Sequence, residues 1–248
     1  MLLNVCMLEL ADAAQKYETG ISNIARITTD LRNALPPQTK AALAANPLIV
    51  EPTSIPSIQP CQSPQQNAVA VQFTTGFIDL LNYVSHAQAI NEEQPGFLRR
   101  ALEQLRARHP EVCLSDLHSQ PPAKAWSFDT LNHQVSYFNQ MAGALMAIQF
   151  AHHYLGHYDK YGTSARGLGS TPLYQVLTAE EWHAAVLKGA RNALDCGFMV
   201  EGLKAFYTAL DAMPQRPGWT LYFMPAKANV SRLKRDLAKV QDKFFAYK

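Results

Sequence analysis

The longest apolar stretch of the chain, Met141 to Ala151, leads directly into His152, His153 and His157. It is interrupted by Gln149 and is shorter than the roughly 20 apolar residues of a membrane span, so it reads as a buried core helix. A start at Asp129 or Thr130 and an end near Lys160 are expected for that helix. Three of the eight histidines then lie within six residues near its C-terminal end. At i and i+4, His153 and His157 would stack on one face with Cβ atoms about 5–6 Å apart, as the first two ligands of a zinc ion do. Imidazoles in so apolar a setting are costly unless they are paired or coordinated. A hydrogen-bonded core cluster without metal is the alternative.

Hydrolytic zinc sites use three protein ligands and leave the fourth position for water. The third ligand must come from another segment, and Glu181 on the following helix is the best placed, with Glu180 and His183 as competitors. Thr178-Ala179-Glu180-Glu181 also has the form of a capping box, which gives Glu181 a purely local role as well.

The remaining pattern is mostly helical. Residues 1–35 read as an amphipathic helix broken near Gly20. Residues 36–66 hold seven of the fifteen prolines, a density that favours an extended or wrapping linker, with a short helix near Lys40–Ala45. Residues 67–75 alternate and are rich in β-branched side chains, the best strand candidate. Helices are expected over 77–90, 97–108, from Thr178 to about Leu194, over 200–212, and from a Ser231 cap to the end. Residues 110–124 and 162–171 read as loops, the second a candidate lid. The expected architecture is mainly α with a small β component, divided into an N-terminal helical segment and linker (1–66), a central domain (67–212) and a C-terminal extension with a terminal helix (213–248).

A formal net charge of +2 offers no strong field for nucleic acid or a membrane surface. The basic residues of the last helix, Arg232, Lys234, Arg235, Lys239 and Lys243, read as a solvated face. No apolar window is long enough for an integral membrane span. Glu9 and Asp12 interrupt the apolar start, which lacks the basic region of a secretory signal. Four scattered cysteines without CxxC spacing favour a reducing, cytoplasmic setting. His86, His109, His118 and His133 are isolated, and Tyr154, Tyr158 and Tyr161 fit an aromatic core edge.

The segment Ala151-His152-His153-Tyr154-Leu155-Gly156-His157-Tyr158 resembles the A-H-E-L-G-H-Y form of the HExxH helix of gluzincin metallopeptidases. Asn67-Ala68-Val69-Ala70-Val71, followed by Gly76-Phe77-Ile78-Asp79-Leu80-Leu81, resembles that family's strand and following helix. Glu181-Trp182-His183-Ala184-Ala185 resembles its ExxAD element, and Cys196-Gly197-Phe198 its turn before the last helix. The likeness spans about Asn67 to Leu210. It implies a zincin-like domain holding one zinc ion through His153, His157 and Glu181, and, if active, a hydrolase cutting a peptide or amide bond with a metal-bound water.

Two positions depart from the family. Tyr154 stands where the general-base glutamate belongs, and Ala185 replaces the aspartate that would orient a ligand histidine. A phenol with an ordinary pKa of about 10 is a poor base, although it can donate a hydrogen bond to an oxyanion. Glu180, arriving from the next helix, is the other candidate base. A scaffold that has lost its base and binds a peptide or protein partner is the competing expectation; a metal-free helical protein is the third.

Overall fold

A computed structural model describes residues 2–43, 48–62, 69–107, 123–161, 173–213 and 216–246. The chain begins with α1 (Leu2–Ala34) and α2 (Pro37–Ala42), then forms β1 (Leu48–Glu51), β2 (Ile58–Gln62) and β3 (Val69–Thr74). Next come α3 (Thr75–Glu93), α4 (Phe97–Ala107) and a 3-10 turn at Ala123–Trp126. The site-bearing part follows as α5 (Phe128–Tyr154), α6 (His157–Tyr161), α7 (Leu173–Val176) and α8 (Ala179–Asp195). The described chain ends with α9 (Glu201–Ala212), a second 3-10 turn at Gly218–Tyr222 and α10 (Val230–Ala246).

The fold is mainly helical with one small sheet, as the periodicity indicates. Three local expectations are corrected. First, the proline-rich segment is more than a linker. Its β1 pairs parallel and its β2 antiparallel to β3, in the order β1-β3-β2. Pro52 and Pro56 lie between these strands, and Pro60 sits in β2, an edge strand where a missing N–H is tolerated. Second, α1 is not broken at Gly20. A Cβ there would stand 2.7 Å from Ile78 Cγ2, so the glycine serves the close approach of α1 to α3. Third, α5 stops at Tyr154 instead of continuing to Lys160, with consequences for the histidines described below. It is capped by Ser127, whose hydroxyl accepts the Thr130 N–H at 3.2 Å.

From Met141 to His152, α5 is buried on every side. It packs chiefly between α3 and α8, with α1 and α9 against its remaining flanks. That enclosure explains why the segment is apolar all round instead of striped. Buried residues from Ile24 of α1 to Phe244 of α10 belong to one apolar cluster, to which the central region also contributes. The capping box of α8 forms as expected, with Thr178 and Glu181 exchanging bonds between side chain and backbone. No helix among the described residues is long and apolar enough to cross a membrane. Of the loops expected at 110–124 and 162–171, residues 110–122 and 162–171 lie outside the described residues, and Ala123 and Lys124 begin the first 3-10 turn.

Candidate functional site

The site is shaped by Gly156. After Tyr154 the helix closes, with Leu155 N–H donating to Ala151 O at 2.9 Å and Gly156 N–H to His153 O at 3.0 Å. Gly156 adopts φ of +70°, a left-handed conformation that ends helices and suits a residue without Cβ. The chain then restarts as α6 at His157. His153 and His157 therefore do not share one helix face.

The break pairs His157 with His152 instead. Their Nδ1 atoms stand 2.8 Å apart and their ring centroids 5.1 Å apart. His152 is fully buried, and its Nε2 lies 3.1 Å from the hydroxyl of Tyr174 on α7. That hydroxyl accepts the Gln149 side-chain amide at 3.1 Å, and Tyr158 donates to Gln149 O at 3.0 Å. Gln149, the one polar interruption of the apolar run, is thus the inner end of a buried polar chain. Burial, then the neighbouring His157, pushes the His152 pKa down to about 3. Burial also lowers that of His157, while the charge of Glu181 opposes the shift. Tyr174 is held well above the usual phenol range by burial.

The other expected site residues have separate engagements. His153 is half-buried, with its ring centroid 5.9 Å from that of Tyr158. Glu181 Oε2 accepts Thr178 N–H at 2.9 Å, the Thr178 hydroxyl at 2.8 Å and the Tyr161 hydroxyl at 2.6 Å. Its Oε1 takes the Lys160 ammonium at 2.5 Å. The bonds from Lys160, Tyr161 and Thr178 hold this carboxyl far below its ordinary pKa. Glu180 is exposed and forms a fork with Arg232, at 2.5 and 3.1 Å. His183 reaches Asp236 of α10 at 3.2 Å. The Tyr154 hydroxyl accepts the Asn192 amide at 2.5 Å, and burial pushes its pKa up to about 12.

Zinc–nitrogen bonds of about 2.0–2.1 Å at tetrahedral angles separate two ligand nitrogens by roughly 3.3 Å. The His152–His157 spacing of 2.8 Å is instead that of a hydrogen bond, which needs a proton on one of the two atoms. Among the described residues no three His, Cys, Asp or Glu side chains converge as a metal-ligand group. The arrangement as it stands does not fit a three-ligand zinc centre through His153, His157 and Glu181.

His152, Gln149 and Tyr174 are the residues that spacing rules missed. A glycine inside the histidine cluster was the available signal, since a left-handed Gly156 ends the helix and cancels the i, i+4 geometry. Comparisons with family models, with characterised proteins and with solved structures find no match to this chain.

Proposed function

We propose that this chain is a binding module on a zincin-like scaffold, without peptidase activity, and that its partner is a peptide or protein segment. The observation that carries the reading is the state of Tyr154. A water-activating group needs a pKa near the working pH and a free lone pair facing the water. The Tyr154 phenol has been moved away from that range and its oxygen already accepts from Asn192. Glu180 and Glu181 do not supply a replacement base, since both are committed to cations and hydroxyls and held below the usual carboxylate range. The order of strand, helix, histidine segment and glutamate-bearing helix supports the scaffold part of the reading.

The test is a protease assay on zinc-supplemented protein with fluorophore-quenched casein. No release above the buffer rate is expected. Turnover that disappears in both His153→Ala and His157→Ala would return the chain to the hydrolases.

A further inference from the structure

We propose that Gln149, Tyr174, His152 and His157 form one directional chain of hydrogen bonds that leaves His157 with a bare Nδ1 and a protonated Nε2, and that this N–H is the donor the site offers to a ligand carbonyl. The identity of the ligand rests on the binding-module reading; the direction of the chain does not.

The direction follows from counting hydrogens. With the Gln149 amide oriented so that its Nε2 donates to the Tyr174 oxygen, that oxygen has one other polar neighbour among the described residues, His152 Nε2. The single hydroxyl hydrogen of Tyr174 therefore goes to His152 Nε2, which must be bare to accept it. A neutral imidazole carries its proton on the other nitrogen. His152 Nδ1 then donates across 2.8 Å to His157 Nδ1, and His157 keeps its own proton on Nε2. In the reverse direction, Gln149 and His152 would both donate to Tyr174. Its hydroxyl hydrogen would then be buried without an acceptor among the described residues, a costly arrangement. The burial of His152 favours the neutral ring that this count requires.

Among the described residues the outer end of the chain is open. His157 is only 7% exposed, and among the described residues its Nε2 has no partner. An N–H on so enclosed a ring, fixed by three bonds behind it, is a donor oriented before any ligand arrives. The acceptor it suits is uncharged. Lys160, the cation that acts on His157, is already paired with Glu181 at 2.5 Å, so it offers no unpaired charge to an anion. A peptide carbonyl meets both conditions.

The test uses full-length protein, chelator-treated and labelled with 15N-histidine, in long-range 1H–15N spectra at neutral pH. His157 is expected to show a pyridine-type Nδ1 and a pyrrole-type Nε2, and His152 the opposite pattern. Opposite assignments, or two rings averaging over both tautomers, would overturn the chain. Tyr174→Phe, which keeps the ring and removes the donor, is expected to abolish the single-tautomer pattern of His152; an unchanged pattern overturns the relay. If that variant does not fold, the wild-type spectrum still decides. Titration with the blocked dipeptide N-acetyl-alanyl-alanine amide is expected to shift the His157 Nε2–H signal saturably, and acetate is expected to leave it in place. No shift with the dipeptide, or a larger one with acetate, overturns the ligand class. Zinc-dependent proteolysis alongside the expected tautomers would remove the binding-module reading and leave the chain of bonds standing.

Discussion

Acidification is expected to destabilise this protein well above the range where carboxylates titrate, with His152 as a principal cause. An unfolded histidine takes up its proton near pH 6.5, whereas the buried ring resists protonation down to about 3. Between those values the unfolded state binds one more proton than the folded state. Stability therefore rises with pH across this window, is complete above it, and is lost as the pH falls through it. The slope from one such group is roughly 1.4 kcal/mol per pH unit. His157 and His86, both lowered chiefly by burial, add to it with the same sign. Urea denaturation at a series of pH values measures the slope directly. His152→Gln is expected to be less stable at neutral pH, because Tyr174 and His157 lose their shared partner, yet to show a shallower acid slope. An equal slope in the variant would mean that His152 is not the buried neutral group described here.

The second large effect is expected at Gly189. A Cβ there would lie 2.7 Å from the backbone nitrogen of Ile148 and 2.8 Å from its Cα, closer than packed atoms approach. The methyl group of Gly189→Ala can be accommodated only if α8 and α5 move apart. Overpacking of this kind costs about 1–3 kcal/mol. Because backbone atoms are involved, trimming the facing side chain does not make room. The double variant Gly189→Ala/Ile148→Ala is expected to be less stable than either single variant, with no rescue. Thermal denaturation of the three proteins checks this. Rescue by the double variant would show that only the Ile148 side chain sets the spacing.

Much of the helical framework was legible because its signals are local. The all-apolar run of α5 marks a helix enclosed on every side, and Thr178 with Glu181 marks the start of α8. The features that local patterns do not reveal share a cause: each depends on something distant or on one residue's backbone. The pairing of β1 and β2 with β3 joins segments that no short-range pattern links. Gly20 looks like a helix break until Ile78 of α3 is placed against it. At the site, spacing gave His153 and His157 a shared face that Gly156 removes, and the same turn brings in His152. Glu181 could be read as a cap or as a ligand. Its carboxylate oxygens are engaged by Thr178, Tyr161 and Lys160, which makes the local role the structural one.

The central question at this site is whether the imidazoles hold each other or hold a metal. Isothermal titration of zinc into chelator-treated wild-type protein asks this most directly. Weak, unsaturated heats that persist in His153→Ala, His157→Ala and Glu181→Gln are the expected result. A saturable site for one zinc per chain, lost in each of the three variants, would contradict it.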